Sequence, residues 1–508
     1  MTTRREFLKT GTAAAATAAG AMAIPRALRA QAKGPAGRIT VALSTDLSTL
    51  DPSKDVSAIG VTVFKNLFDQ LTDIRADGSV GPLLARSWES KDAVTWLFKL
   101  REGVKFHNGQ AVTVDDVLWT FEAVMNDPKS PVRSYTATID KIEKVDERTI
   151  RFVTKHPYAP FPRHVSLISI LPREAYQAMG AEQFARKPIG CGPYRVVNWV
   201  RGDRLELEAA GSHFNGAASI KTVVFRPVPS ESSRLSALES GDLDIVALLP
   251  PPEVPRLRKV AGVRVELVES NRNLFIGMNE KARPLDHPKV RQAIDLAIDR
   301  EQITRELLGG LGKPVGQPVA SAVFGFDPSL QPTKHDPQRA RQLLREAGVA
   351  DGLELDLQYP TNRYTFGTEV AQAVAGHLAN AGVKVKLEGM EFAALFPLWM
   401  GKKLKGLYLF GFGPSIMDAD LVLGFLYDSK GKGYWTSPEV DSLIQKQRGQ
   451  ADEQARLRTI HEIWNLSGQH VPISWLYTEV QSYGIRDRII WKPRTDERFN
   501  MAEARLKS

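Results

Sequence analysis

The strongest constraint on the fold of this 508-residue chain is a strand, helix and strand pattern between residues 353 and 387. LELDLQ (353–358) alternates apolar and polar residues, as a half-buried strand does. The next segment carries apolar residues at helical spacing and stops at Gly382, after which VKVKL (383–387) alternates again. RITVAL (38–43) shows the same strand pattern near the start of the chain. This order of elements predicts the α/β fold class.

Several predicted helices are delimited by their own start residues. A Ser, Thr or Asp before the first turn accepts a hydrogen bond from a free backbone N–H, and proline is tolerated at the first helical position. Such starts occur at Thr113 with Asp116, Asp336 with Pro337, Ser437 with Pro438, and Asp286 with Pro288, the last predicting a helix that reaches Gly309. Because no repeat or low-complexity linker follows the N-terminal segment, we expect compact α/β structure throughout.

The N-terminal segment has the composition of an export signal. TRREFLKTGTAAAATAAG (3–20) places two adjacent arginines before a mild apolar run, which is too short to span a membrane. The paired arginines predict a twin-arginine (Tat) signal peptide over residues 1–32, cleaved near Ala30 or Ala32. A lipid anchor requires a cysteine at the cleavage site, and none is present. We therefore expect a periplasmic protein without a lipid anchor.

The cysteine count and the charge exclude two classes. Cys191 is the only cysteine, so no intrachain disulfide can form in the exported chain. The formal net charge of +9 is spread over 508 residues without a run of Lys and Arg, which argues against a nucleic-acid partner. A mild positive charge fits an anionic ligand or simple solubility.

The motifs of catalytic and cofactor sites are missing or incomplete. The nine histidines form no HExxH pair, and no GxSxG elbow is present. GGLGK (309–313) continues with Pro314 where a phosphate loop needs Ser or Thr. Cys191 is either a nucleophile or, as we favour, a small buried residue. We predict no enzyme activity, no cofactor and no metal, and leave the role of the pair Asp418 and Asp420 open.

Five stretches carry a resemblance to a known family. They are GPLLARSWESKDAVTWLFKLREGVKFHNGQAVTVDDVLWTFEAV (81–124), IGCGPYRVVNWVRGDRLELE (189–208), LSALESGDLDI (235–245), LFIGMNEKARPLDHPKVRQAIDLAIDRE (274–301) and GYWTSPEVDSLI (433–444). In this order they resemble family 5 of the solute-binding proteins of ABC importers, which includes dipeptide-, oligopeptide- and nickel-binding proteins. The resemblance covers nearly the whole chain after the signal.

The resemblance implies a fold and an organisation. The expected fold is α/β, the two-lobed periplasmic binding protein type 2 fold in its large three-domain variant, with two hinge crossings near residues 271–279 and 473–485. The first lobe core is expected to combine 33–77, 185–272 and 481–508, with an extra subdomain over 78–184 and a second lobe over 273–480. The expected partners are a small-molecule or peptide ligand and an inner-membrane ABC permease with separate ATPase subunits. We expect a monomer.

At two positions this sequence departs from the usual family pattern in a way that bears on the ligand. In peptide binders of this family, an Asp pairs with the free α-amino group of the peptide, and the corresponding stretch here is LFGFGPSIMDADLVLGFL (409–426). Ser415 stands near the position of that Asp, so a peptide amine would lack its partner unless Asp418 or Asp420 replaces it. Cys191 replaces the usual Thr or Ser, which weakens one polar contact if that loop touches the ligand.

The predicted ligand-binding residues lie at strand ends, crossings and this stretch. They are Ser44, Thr45, Asn271, Arg272, Asn273, Arg363, Tyr364, Phe412, Ser415, Asp418, Tyr434 and Trp435. The predicted function is capture of a peptide or peptide-like small solute between two lobes. A Tat-exported enzyme with a cofactor, and a binding protein for an opine, an oligosaccharide or a metal chelate, stay open as alternatives.

Overall fold

The structure of the protein is a computed structural model that describes residues 37–211, 213–349 and 352–507. The predicted signal peptide, residues 1–32, lies outside these residues. Within the described ranges, no helix combines the length and the apolar character needed to cross a membrane.

The described residues alternate between strands and helices along the chain. The strands are β1 (Arg38–Leu43), β2 (Thr72–Ile74), β3 (Val80–Pro82), β4 (Ala85–Glu89), β5 (Thr95–Leu100), β6 (Ile139–Lys144), β7 (Thr149–Thr154), β8 (Tyr194–Val200), β9 (Arg204–Ala209), β10 (Thr222–Pro227), β11 (Ile245–Ala247), β12 (Val263–Met278), β13 (Gly312–Pro314), β14 (Leu353–Pro360), β15 (Val383–Met390), β16 (Leu407–Phe412), β17 (Ile473–Arg486), β18 (Ile489–Ile490) and β19 (Arg505–Leu506). The α-helices are α1 (Ala58–Leu67), α2 (Val114–Asn126), α3 (Phe161–His164), α4 (Arg173–Met179), α5 (Ala181–Phe184), α6 (Glu231–Ser240), α7 (Val254–Leu257), α8 (Pro288–Ala297), α9 (Arg300–Gln302), α10 (Pro337–Glu346), α11 (Gly367–Asn380), α12 (Phe392–Met400), α13 (Ala419–Val422), α14 (Pro438–Arg448) and α15 (Glu453–His470).

One large sheet runs through the molecule in the order β15-β14-β16-β12-β17-β11-β1-β10-β9-β8. Its two central strands, β12 and β17, pair antiparallel from Val263 opposite Arg486 to Gly277 opposite Ile473. Only the second half of β12 pairs with β16, and only the end of β17 pairs with β11. The two strands therefore leave one half of the sheet and enter the other, with a register irregularity between Glu269 and Asn273.

The two halves of the sheet form two lobes. In the first lobe, β1 lies parallel between β10 and β11, and β9 and β8 extend the edge antiparallel. In the second lobe, β14 lies parallel between β15 and β16. The predicted strand, helix and strand of residues 353–387 are confirmed as β14, α11 and β15, with the apolar face of α11 fully buried. The predicted crossings overlap β12 and β17.

Three of the four predicted helix starts hold. Asp286 does not cap α8; His287 does, by accepting a hydrogen bond from the amide of Lys289. Asp336, Ser437 and Thr113 each accept a backbone hydrogen bond at the start of α10, α14 and α2. The helix predicted from residue 286 to Gly309 is wrong beyond Ala297. There α8 ends in an extended Ile298, and Asp299 caps the separate short helix α9, which continues as a π-helical turn.

A separate four-stranded antiparallel sheet, in the order β4-β5-β7-β6, lies within residues 78–184, the range predicted for an extra subdomain. Its aromatic core includes Phe98, Phe121, Phe152 and Phe161, all fully buried or nearly so.

Buried ions join the subdomain to the second lobe. In the second lobe, Asp418 accepts two hydrogen bonds from Arg456, at 2.7 and 2.5 Å, and Arg163 of the subdomain approaches Asp418 within 3.4 Å. Asp420 accepts from Arg448 at 2.7 Å and from the hydroxyl of Tyr158 at 2.7 Å. Burial disfavours ionisation, but Arg448 and Arg456 still hold the pKa of Asp420 below its usual value. We call these residues the interlobe ion network.

Replacing Asp418 by Asn tests the weight of this network. The amide has the same shape as the carboxylate but no charge, so Arg456 and Arg163 remain buried without their partner. Removing one partner of a buried ion pair costs about 3–5 kcal/mol. We expect Asp418→Asn to lower the free energy of urea unfolding by this amount.

The matched control is Glu182→Gln, which removes a carboxylate from an exposed helical pair with Arg186. It should leave the unfolding midpoint unchanged, because exposed pairs contribute little. Equal midpoints for Asp418→Asn and the wild type would contradict a stabilising role for the interlobe ion network.

Candidate functional site

A cavity of about 800 Å³ lies between the two lobes, beside the central strands. Its walls come from both lobes and from the crossing itself. The first lobe contributes residues 42–45, 57–59, Thr62, Glu231, Arg234 and 247–251; the second lobe contributes residues 362–366 and Phe392; the crossing and the tail contribute Arg272, Glu479, Gln481, Tyr483, Glu497 and Phe499. We call this cavity the cleft.

The fold explains why these segments meet. Ser44 and Thr45 directly follow β1, and residues 247–251 follow β11, while residues 362–366 follow β14. All three segments stand at the carboxyl ends of parallel strands, where open α/β sheets place their ligand sites. Both lobes therefore present the same kind of edge to the cleft.

The floor of the cleft carries one cation between two carboxylates. Arg272 on β12 contacts Glu479 on β17, with Nε and Oε2 3.1 Å apart, and donates from Nη2 to Glu497 at 3.0 Å. Burial raises the pKa of Glu479 to about 7, against the opposing effect of Arg272 and with the support of Glu497. Burial disfavours the charge of Arg272, but the two carboxylates outweigh it and raise the pKa of Arg272. Two acids thus compete for one guanidinium.

Three non-glycine residues of the cleft adopt left-handed backbone conformations: Leu248 (φ 59°), Phe366 (φ 52°) and Glu497 (φ 62°). Such conformations are uncommon for residues with a side chain and cost on the order of 1–3 kcal/mol each. The surrounding structure therefore holds these positions. Leu248 is also 43% exposed, which leaves an apolar side chain accessible at the cleft wall.

Arg363 is the most available cation of the second lobe wall. Its guanidinium lies 5.7 Å from the ring centre of Tyr364 and 5.5 Å from that of Phe392. It forms no ion pair within the described part of the chain, and its side chain is exposed. The Tyr364 hydroxyl accepts a hydrogen bond from the Gly411 amide at 2.7 Å, which fixes the ring beside the cleft. The pair can bind a carboxylate beside an aromatic surface.

A smaller pocket of about 240 Å³ opens where the first lobe, the subdomain and the second lobe meet. We call it the junction pocket. Ser415 and Asn271 line it, and Arg272, Arg363 and Glu497 line both this pocket and the cleft. Seven of the twelve predicted site residues therefore lie at the cleft or the junction pocket: Ser44, Thr45, Asn271, Arg272, Arg363, Tyr364 and Ser415.

The other predicted residues face the protein interior. Asn273 is fully buried in β12, where its amide donates to the carbonyl of Gln317 at 2.9 Å. Asp418 belongs to the interlobe ion network and is fully buried. Since Asp420 is bound by Arg448, neither acid is free to receive a ligand amine.

The three aromatic residues predicted at the site are part of the second lobe core. Phe412 lies against Phe425, with ring centres 5.2 Å apart. Tyr434 is buried and its hydroxyl accepts from the Leu404 amide, and Trp435 is buried among the same apolar residues. Packing therefore explains all three.

Cys191 has a structural position. It is buried and lines a separate pocket of about 200 Å³ that contains none of the cleft residues. Burial raises the pKa of its thiol, so the reactive thiolate is disfavoured. A Cβ on the flanking Gly190 or Gly192 would stand 1.9 or 2.6 Å from backbone atoms of Leu67. The loop turns closely around α1 and does not touch the cleft.

Sequence reasoning missed the acids of the cleft. Glu479 interrupts the apolar strand ISWLYTEVQSYGIR, which the sequence had marked as a crossing, and a buried acid in such a strand was the available signal. Glu497 lies in a loop without a pattern, so only the folded chain reveals it. Among the described residues, no group of three or more His, Cys, Asp or Glu side chains is arranged to hold a metal ion.

Comparison with known proteins gives consistent matches. The family model for bacterial extracellular solute-binding proteins, family 5 Middle, matches residues 79–434. The glutathione-binding protein GsiB of Pectobacterium atrosepticum is 27% identical over 420 residues, which is 79% of this chain and 81% of GsiB.

Solved structures share the fold. HbpA2 from Haemophilus parasuis superposes with a TM-score of 0.83 at 22% identity, covering 93% of this chain and 100% of HbpA2. The periplasmic binding protein DppA from Helicobacter pylori, in complex with the peptide STSA, gives 0.78 at 23% identity, covering 93% and 98%. The predicted α/β fold of a type 2 periplasmic binding protein is confirmed.

The raised pKa of Glu479 predicts a pH dependence. Folded Glu479 keeps its proton up to a pH of about 7, whereas the unfolded chain releases it near the usual value of 4.5. The unfolded state therefore binds fewer protons between these values, and stability falls as pH rises, by at most about 1.4 kcal/mol per pH unit. Glu479→Gln should remove this part of the fall when urea midpoints are compared from pH 4.5 to 8.

Glu462→Gln, which changes an exposed acid on α15, is the control and should follow the wild-type pH profile. Parallel profiles for the wild type and Glu479→Gln would show that the acid titrates normally in the cleft.

Proposed function

Because the chain belongs to family 5 of the bacterial extracellular solute-binding proteins, we propose that it captures a short peptide or peptide-like solute in the cleft. The main observation behind this proposal is that both lobes and both crossing strands line the same cavity of about 800 Å³. A solute inside it contacts both lobes at once. Such a ligand stabilises the closed arrangement, because only affinity that differs between two states shifts their populations.

The ligand class follows from the cleft and from the relatives. Arg363 forms no ion pair with the described residues, so its guanidinium can bind a carboxylate, and Tyr364 and Phe392 offer aromatic surface beside it. GsiB is a glutathione-binding protein, and DppA was solved with the peptide STSA. Glutathione and other short peptides combine carboxylates with a compact backbone, so they are the first ligands to test. The volume lies in the range of about 300–1,000 Å³ that is usual for small-molecule sites.

The cellular role in this proposal is that of the delivering component of an ABC importer. Residues 1–32 act as a twin-arginine signal, cleaved near Ala30 or Ala32, and the mature chain works in the periplasm as a monomer. The closed form docks onto an inner-membrane permease whose ATPase subunits are separate chains. The chain itself has no catalytic task, no cofactor and no nucleic-acid partner. Membership of a family of extracellular solute-binding proteins supports the role of binding component, and the adjacent residues Arg4 and Arg5 support the export route.

Ligand-dependent thermal stability tests the proposal. At a hundredfold excess over its dissociation constant, a bound ligand adds about 2.7 kcal/mol to the unfolding free energy. We expect glutathione or a tripeptide to raise the melting temperature of the protein after it has been stripped of ligand. Arg363→Gln should weaken binding at least tenfold, while Arg86→Gln, an exposed arginine of β4, should leave affinity unchanged.

Other results of these stability measurements would indicate a different function. Stabilisation only by an opine, an oligosaccharide or a nickel chelate would assign a non-peptide solute to the cleft. A stoichiometric chromophore or metal in the purified protein would favour an exported enzyme. No response to any solute would contradict the proposed capture.

A further inference from the structure

The junction pocket has its own walls and its own charges. Helix α1 of the first lobe, Tyr135 of the subdomain, Ser415 of the second lobe and residues 496–498 of the tail surround it. It shares Arg272, Arg363 and Glu497 with the cleft, so the two cavities are neighbours. A group placed here contacts three parts of the molecule at once.

Arg498 in this wall has an unsatisfied donor. The side chain is 6% exposed, and its Nη2 donates to the carbonyl of Ser415 at 3.0 Å. Its Nη1 is buried and has no hydrogen-bond partner among the described residues. The Oδ2 atom of Asp496 stands 3.7 Å from this Nη1, beyond hydrogen-bonding distance. A buried donor without an acceptor is costly, and an oxygen from a ligand would relieve that cost.

The acids around the pocket already have partners. Arg494 binds both oxygens of Asp496, at 2.9 and 2.7 Å, and Arg272 binds Glu497. Asp55, on the outer wall, accepts from the backbone and the hydroxyl of Ser57. The carboxylates of Asp496 and Glu497 are therefore already paired with arginines, and Asp55 has only neutral donors as partners in the described chain. Arg498 and Arg363, by contrast, lack a carboxylate within hydrogen-bonding distance in that part of the chain.

Among its described residues, the second lobe adds no acid to the pocket. Its loop presents Gly413 and Ser415, and the next acids in sequence, Asp418 and Asp420, are bound within the interlobe ion network. The phenol of Tyr135 has Ser415 and Arg498 as its polar neighbours; burial raises its pKa, and these two groups oppose the rise. A neutral phenol donates a hydrogen bond, which suits an acceptor in the pocket.

We propose that the junction pocket binds a carboxylate of the ligand, and that Arg498 sets the preference for an acidic group over an amine at this position. This inference rests on the proposed function, since it names the end of the captured solute that enters the pocket. Arg363 lines both this pocket and the cleft. Ser415 allows this charge because it adds none of its own.

Matched probes separate the two ends of a ligand. Isothermal titration would compare trialanine with its C-terminal amide and its N-acetyl form, and glutathione with its diethyl ester. We expect loss of the carboxylate charge to weaken binding at least tenfold, which corresponds to about 1.4 kcal/mol. Acetylation of the amine should change affinity less than threefold. The reverse order would overturn the proposal.

Variants assign the effect to the pocket. Arg498→Gln should abolish the difference between the acid and its amide, and Arg498→Lys should retain part of it. Because Arg498 also holds the Ser415 loop, Ser415→Asp provides a second test: an added carboxylate should weaken acidic probes at least tenfold and spare the amides. Ser87→Asp, at an exposed position of β4 that lines neither cavity, is the control and should bind like the wild type. Unchanged selectivity in Ser415→Asp would overturn the proposal.

An amine-free pair distinguishes this inference from the proposed function. Succinate should stabilise the wild type against heat, and its diamide should not. If succinate bound and none of the tested peptides did, the result would contradict peptide capture and support the anion pocket. Binding of the amides as tightly as the acids would support capture and overturn the anion pocket, and no response to any acid would overturn it as well.

Discussion

The pairing of β12 with β17 is the constraint on which the rest of the structure depends. The two strands are continuous through both lobes and pair with each other on both sides of an irregularity between Glu269 and Asn273, while their outer neighbours change from β11 to β16. Motion between the lobes must therefore bend these strands, and their irregularity near residues 269–273 is the natural place for it. Arg272 and Glu479 stand at that place, so the chemistry of the cleft and its hinge share the same residues.

The distribution of buried charge separates structure from binding. Where the subdomain meets the second lobe, Asp418 and Asp420 are matched with arginines, and the ions satisfy each other. At the cleft the balance differs: one guanidinium serves Glu479 and Glu497, and Arg363 and Arg498 have no carboxylate of their own within hydrogen-bonding distance in the described chain. Matched ions stabilise a closed interface, whereas unmatched ones are available to a ligand. The residues with a strained backbone, Leu248, Phe366 and Glu497, also line the cleft.

Periodicity and capping chemistry were enough to find the α/β units, and the resemblance of ordered stretches was enough to predict two lobes and two crossings. The same signals could not separate cleft residues from buried ones. Asp418 and Ser415 lie three positions apart, yet one side chain is bound by Arg456 and the other lines the junction pocket. That difference depends on partners distant in sequence. The long predicted helix failed for a local reason, because Asp299 can cap a new helix as easily as it can continue the old one.

The central claim is that the cleft and the junction pocket together enclose one acidic, peptide-like solute. Enclosed sites often retain their ligand through purification, so the most direct measurement is mass spectrometry of the small molecules released when the purified mature chain is denatured. The account predicts one peptide-like compound per chain that carries at least one free carboxylate. A stoichiometric neutral sugar or a redox cofactor would contradict it.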